Sequence, residues 1–337
     1  MNATVSATPG EPLPAEVDAA WEVRVRWSTL LRQRLRGNYQ LFVGLALLAG
    51  FVAVGLGEAL AYGRSLDQLA IVPAYANNLY PPGPSWAHPF GIDTGVGIDL
   101  FPAVLQATPI DLALVGGSII LAALLGLFVG AYAGLAGGVA DGIVTAAGDV
   151  VVGVPPFFLV LVLFLGLQPF TAVRDYLLLF GLLFVAVLWP YHARPVRARA
   201  QQVAAEPYIE SARAAGATPA RLLWRHIIPN SIYPIFAQLP IDVYNFLFVL
   251  TVFPFLGCFG GGAGGLYAYL TPLPATVYPE WGLLLASGAC YGWSPLAEVN
   301  FWWMYAFPAA TIVLFGIAVT LACDGFERYL TGIRRPT

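Results

Sequence analysis

Six stretches are apolar for long enough to cross a bilayer, which takes about 20 helical residues. They are 41–62, 112–135, 142–167, 176–193, 232–256 and 303–323. Gly and Pro recur inside them, as expected of spans that pack closely on neighbours. Residues 63–108 are too polar and Pro-rich to span (YPPGPSWAHPFGIDTG), and Glu58 falls near the far end of the first span, within reach of water. Residues 1–16 have no apolar period and read as a disordered tail. In 17–36, Trp27, Leu30, Leu31 and Leu35 share a helical side, interleaved with Arg24, Arg26, Arg32, Arg34 and Arg36. Two readings stand: a helix lying on anionic lipid, or a solvated helix against a partner. The pattern therefore divides the chain into a tail and surface helix, 1–40, and a membrane domain, 41–337.

Between the fourth and fifth spans the apolar pattern is replaced by 206–230, EPYIESARAAGATPARLLWRHIIPN. This polar, Arg-bearing segment reads as helix, break, helix. Small residues (Ser211, Ala212, Ala214, Ala215) let the first helix sink into a cleft on another protein. Gly216 permits the bend, where a Cβ is expected to clash. Thr218-Pro219 restarts the chain with a cap and a proline at the first helical position. Glu206 and Glu210 favour the dipole of the first helix.

Composition sharpens this picture. Of 337 residues 58% are hydrophobic and only 10% charged, against about 25% charged in soluble domains. All sixteen basic residues are Arg, so the chain has no Walker-type lysine for a nucleotide and no Schiff-base lysine. If ATP drives this protein, another polypeptide binds it. Six spans put both termini on one side. With the N-terminus inside, only Arg64 and Arg174 are external, and the other fourteen Arg are cytoplasmic. Arg-rich short loops stay inside, so both termini and 206–230 are expected in the cytoplasm of a multi-pass cell-membrane protein. The first thirty residues lack the pattern of a cleavable signal peptide.

Glu206, Tyr208, Glu210, Ala212, Arg213, Ala214, Gly216 and Ala217, followed by Arg225-His226-Ile227-Ile228-Pro229-Asn230, resemble the EAA loop of ABC importer permeases. More narrowly, they resemble the dipeptide/oligopeptide branch, with Ser211 and Ile228 as mild departures. The likeness extends beyond the loop. Ser85–Asp93 is similar to that branch's H-P-L-G-T-D segment, and Gly97-Ile98-Asp99-Leu100-Phe101 to its G-R-D-L-F. Gly137-Gly138, Asp141, Asp149 and Pro155 keep its register after the second span. Trp281-Gly282, Trp302-Trp303, Phe307-Pro308 and Asp324-Gly325 match its C-terminal signature.

The resemblance implies an all-α integral membrane protein of the type I importer permease fold, with six spans and a cytoplasmic helix–turn–helix. It implies a second, homologous permease and two cytoplasmic ATPase subunits that bind ATP and Mg, with no cofactor in this chain. An extracytoplasmic solute-binding protein would deliver the substrate. Glu206, Tyr208, Glu210, Ala212, Arg213, Gly216, Arg225 and Pro229 would couple ATPase closure to alternating access. No residue is expected to be catalytic, and neither nucleic acid nor metal is expected. Substrates of the branch and its relatives include oligopeptides, nickel and oligosaccharides. Where the family has a run resembling E-A-S-L-S-F-L-G, this chain reads LTVFPFLG at 250–257, without the Glu and the two Ser.

Gln238, Asp242 and Asn245 make a polar stripe at i, i+4 and i+7 in the fifth span. A mid-span Asp costs about 2.5–3.5 kcal/mol on insertion scales, so it should face protein or water. Lining of the translocation path and interhelical hydrogen bonding both fit. Cys258 and Cys290 fall in the expected outer loop, where a disulfide or two free thiols are both open. His88, His192 and His226 are too scattered for a metal site, with His192 expected to end span four at the interface. FGGGAGG at 259–265 has no Lys or Ser/Thr in register to make a phosphate loop. Trp302 and Trp303 read as interface anchors. Two rivals remain: an ion-coupled secondary transporter, for which Asp242 is the one candidate carboxylate and no repeat is seen, and a membrane scaffold.

Overall fold

The computed structural model describes residues 38–61, 72, 74, 81–93, 97–167, 176–259, 280–292 and 301–331. The expected N-terminal tail and surface helix, and the Gly-rich segment at 260–265, lie outside them. Among the described residues the regular structure is helical, with one antiparallel bridge, Ile92 to Asp99. The order is α1 (Tyr39–Ala61), α2 (Leu100–Asp111), a π turn (Leu112–Gly116), α3 (Gly117–Ala136), α4 (Gly138–Val152), α5 (Pro156–Leu167) and α6 (Tyr176–Ala204). Then follow α7 (Pro207–Ala214), α8 (Pro219–Leu222), a π turn (Leu223–Ile227), α9 (Ile228–Ser231), α10 (Tyr233–Phe259), α11 (Trp281–Gly292) and α12 (Trp303–Thr331).

Among the described residues five helices are long and apolar enough to cross a membrane: Tyr39–Leu60, Leu100–Ala136, Leu178–Ala204, Tyr233–Phe253 and Trp303–Tyr329. A sixth span exists only as the bent pair α4 and α5, which meet at 87°. The continuous span expected at 142–167 is thus broken. Its sequence VGVPP ends α4 at Gly153 and starts α5 at Pro156, since Pro cannot donate into a preceding helix but suits a first turn. The second span begins at Leu100, twelve residues before the expected start at Leu112. Asp99 caps it, accepting from the Phe101 N–H at 3.2 Å, and the helix passes through Pro109 into the π turn, a usual accommodation of a missing donor. The fourth span runs to Ala204, past the expected end at 193. Arg194 and Arg197 continue the helix, Arg being a good helix former, and pair with Asp149 and Asp141 on α4.

α3 and α6 pack backbone to backbone. A Cβ on Gly126 would lie 2.4 Å from the His192 Cβ; on Gly130, 2.4 Å from the Ala193 carbonyl; on Gly134, 2.6 Å from the Ala200 Cβ. Glycine at every fourth position thus lets the two backbones touch, the small-xxx-small solution to packing in lipid. The same device joins α1 to α12, where Gly44 abuts the Ala322 backbone and Gly325 abuts Leu41. Asn38 adds a hydrogen bond from Nδ2 to the Gly325 carbonyl at 2.7 Å.

The polar segment before α2 is a built turn. Asp93 Oδ1 accepts from the Gly97 and Ile98 N–H groups at 3.0 and 2.9 Å. His88 Nδ1 lies 2.7 Å from Asp99 Oδ2. The Trp303 indole donates to the Ile92 carbonyl at 3.1 Å and the residue is buried, so Trp303 is a packing residue and not the expected interface anchor. Trp302 stays exposed.

Candidate functional site

The segment 206–230 folds as an arm of α7, α8, a π turn and α9. Pro207 opens α7. At its end Ala217 N–H donates to the Ala212 carbonyl at 3.0 Å and Gly216 N–H to the Arg213 carbonyl at 2.9 Å, while Gly216 has φ +83°. This is the 6→1 closure that needs a left-handed residue. A Cβ built at Gly216 meets nothing within 4 Å. Glycine is therefore required there by its backbone conformation, and the clash expected from the sequence is absent. Thr218 then caps α8, its hydroxyl oxygen accepting from the Arg221 N–H at 3.3 Å.

The arm has an apolar keel. Ile209, Leu222 and Ile227 are buried in one cluster with Val196, Ala200 and Val203 of α6 and Ala123, Leu127 and Ala131 of α3. Its opposite face carries small and polar residues together with two exposed aromatics, Tyr208 and Trp224. Of the residues expected to meet an ATPase, Glu206, Tyr208, Glu210, Arg213, Gly216, Arg225 and Pro229 are exposed, and Ala212 is half-buried. The arm is thus seated on the two helices that are themselves packed backbone to backbone, with its outer face free.

The polar stripe of α10 is placed differently from a simple channel lining. Asp242 is 0% exposed, with Oδ2 2.6 Å from Nε2 of His192, which is also 0% exposed. Gln238 Nε2 donates to Asp242 Oδ1 at 2.9 Å. Asp242 therefore meets protein in this conformation, while Gln238 and Asn245 are half-buried. His192 lies within α6, which continues for twelve residues beyond it. Sequence could not pair His192 with Asp242, fifty positions apart and on separate spans.

Two further groups escaped the sequence reading. Asp141 is held by Arg197, whose Nη2 donates to Oδ2 at 2.6 Å, and Asp149 by Arg194. These pairs tie α4 to the end of α6 next to the arm. Gly137 and Gly138, with φ +62° and +57°, form the turn that brings α4 back. At the other end of the bundle α11 starts on two buried carboxyls. Asp111 Oδ2 accepts from the Trp281 N–H, and Glu280 Oε2 from the Gly282 N–H, both at 2.8 Å. Burial, with the Asp111 charge adding to it, holds the Glu280 carboxyl well above the usual carboxylate range. Trp281 itself is 0% exposed. The twelve-residue α11 was read as outer loop because it is too short for a hydropathy signal. Its backbone includes Cys290, and that of α10 includes Cys258. The side chains of both lie outside the described residues, as does the disulfide reading.

Comparison with known proteins bears on this arrangement. Residues 122–331, from α3 through the arm to the end of α12, match the family model described as binding-protein-dependent transport system inner membrane component. A peptide permease protein of Brucella ovis is 29% identical over 247 residues, 72% of each chain. A protein described as a D,D-dipeptide transport system permease of Escherichia coli (strain K12) is 29% identical over 250 residues, 73% of this chain and 74% of its own. A peptide transport system permease protein of Brucella suis is 31% identical over 141 residues. With the matched residues covering more than half the chain and the helices able to cross a membrane several times, this protein belongs to the family of inner-membrane permease components of binding-protein-dependent ABC transport systems.

Proposed function

We propose that this permease imports short peptides, driven by ATP that partner subunits bind and hydrolyse with Mg. An extracytoplasmic binding protein delivers the solute and a second, homologous permease completes the path. Both termini and the arm lie in the cytoplasm. The observation that carries the reading is the two-sided arm. Its keel of Ile209, Leu222 and Ile227 is buried against α3 and α6, and its outer face of small, charged and aromatic residues is exposed. Such a face suits insertion into a cleft on a cytoplasmic ATPase, and its seat transmits a push directly to two spans. The outward- and inward-open states would then alternate as the ATPases close and open. Peptide is preferred among the solutes because the relatives above are named as peptide permeases. No step of this cycle asks the chain for covalent chemistry.

The test is uptake of radiolabelled Ala-Ala by vesicles holding the full transport system. Ala214, exposed near the end of α7, is replaced by Trp to obstruct docking without touching the keel. Uptake should require ATP, resist an uncoupler and collapse with Ala214→Trp, while the permease remains in the membrane. Uptake that survives ATP depletion and fails with an uncoupler would mean a secondary transporter. Uptake of a labelled oligosaccharide in place of Ala-Ala would reject peptide as substrate.

A further inference from the structure

α6 and α10, the helices that enter and leave the arm, do not close along their whole length. At the arm end they frame a cleft of about 440 Å³, lined by Pro195 and Ala198 of α6 and by Pro234, Ala237 and Ile241 of α10. This is within the usual range of small-molecule sites, about 300–1,000 Å³. Arg199 and Tyr233 stand in it, with the guanidinium carbon 5.6 Å from the ring centroid.

The charge of Arg199 is left unmatched. Its Nε donates to the Asn230 carbonyl at 3.3 Å and its Nη1 to Gln202 Oε1 at 3.0 Å, both neutral acceptors. Among the described residues no carboxylate comes within ion-pair distance of it. On the same helix Arg194 and Arg197 each have an Asp. The cleft is therefore cationic where its neighbours are neutralised: neutral backbone and side-chain acceptors hold the guanidinium through Nε and Nη1, and among the described residues Nη2 keeps its donors for an oxyanion. Gln238 lines the cleft as well and reaches from it to the buried Asp242.

We propose that this cleft binds the oxyanion of a small amphipathic molecule, with Arg199 as its partner and the Pro and Ala walls holding the apolar part. Two sources supply that chemistry. One is the α-carboxylate of a short peptide, which rests on the import reading above. The other is the phosphate of an anionic phospholipid, which basic pockets between spans recognise at the membrane surface. Either ligand would bridge the two helices that flank the arm.

The experiment uses the assembled transporter in nanodiscs of neutral phosphatidylcholine. One arm measures binding of radiolabelled Ala-Ala, with its C-terminal amide as competitor. The other measures retention of added phosphatidylglycerol by native mass spectrometry. Arg199→Gln removes the charge, and Ile241→Trp fills the cleft without removing a polar group, so that a folding failure of the first variant leaves the second. Arg328→Gln removes a charge at the end of α12. The expected result is a loss of about tenfold or more in one arm for both cleft variants, and none for Arg328→Gln. If Ala-Ala is the probe lost, with its amide competing poorly, the ligand is peptide; if phosphatidylglycerol is lost, it is lipid. Unchanged binding of both probes in both cleft variants overturns the site, even if Ala-Ala still binds elsewhere and the import reading stands. Conversely, failure of peptide import leaves the lipid arm intact.

Discussion

Replacing Gly130 by Ala probes the backbone-to-backbone contact of α3 and α6. The new methyl would sit 2.4 Å from the Ala193 carbonyl oxygen and 3.0 Å from its Cα. That is about 1 Å short of normal van der Waals separation. The obstructing atoms are backbone, so no rotamer change relieves them and α6 must retreat from α3. Overpacking of this kind costs about 1–3 kcal/mol. Ala also gains helix propensity over Gly by up to about 1 kcal/mol, so a matched control is needed. Gly142 is exposed on α4 with nothing within 4 Å of a built Cβ, and Gly142→Ala receives the gain alone. Unfolding by SDS in mixed micelles should show Gly130→Ala less stable than Gly142→Ala by about 1–3 kcal/mol. Gly126→Ala and Gly134→Ala demand a retreat in the same direction. The triple variant should therefore cost less than the sum of the singles, the signature of one shared displacement. A Gly130→Ala protein as stable as Gly142→Ala, or three strictly additive losses, would refute backbone-to-backbone packing of α3 and α6.

Three other outcomes follow from the site. Asp242→Ala leaves His192 buried without its partner and should destabilise by about 3 kcal/mol; a double-mutant cycle with His192→Ala should return coupling of about 1 kcal/mol or more, and additivity would sink the pair. Gly216→Ala should strain the arm through its φ of +83° and raise hydrogen exchange at residues 215–217 about fivefold. Gly216→Asn should exchange more slowly than the Ala variant, because Asn tolerates that conformation, and equal exchange in both would point to bulk instead. Asp141→Asn should lower the apparent Tm more than Asp149→Asn, since the Arg197–Asp141 side chains are 28% and 17% exposed and the Arg194–Asp149 side chains 44% and 59%; an unchanged Tm in both variants would mean that neither pair anchors α4.

Much of the membrane architecture was legible because lipid imposes a simple rule on composition. α1, α10 and α12 lie close to where the apolar runs put them, and the arm was legible because Gly216 and Thr218-Pro219 are local signals. The failures share a cause: hydropathy averages over a window, and a residue's polarity does not say who its partner is. The span expected from Leu112 starts at Leu100, and Asp111 is buried within it because its carboxyl accepts from the Trp281 N–H, 170 positions later in the chain. The fourth apolar run stops at Ala193, whereas the helix carries on through Arg194 and Arg197 to Ala204. The VGVPP break was visible in the letters but hidden by the apolar average. Gln238 and Asp242 were found as a stripe, while His192, which decides what Asp242 faces, carries no sequence mark of that contact.

The keel of the arm lies against the same two rods that Gly126, Gly130 and Gly134 bring into backbone contact. Long side chains between helices act as a soft layer that absorbs displacement; here that layer has been thinned to almost nothing. A load applied at Tyr208 or Arg213 reaches the far end of α3 with little damping, so this part of the molecule responds as one stiff lever. Compliance must then reside elsewhere, and the two π turns and the 87° joint between α4 and α5 are where bending costs least.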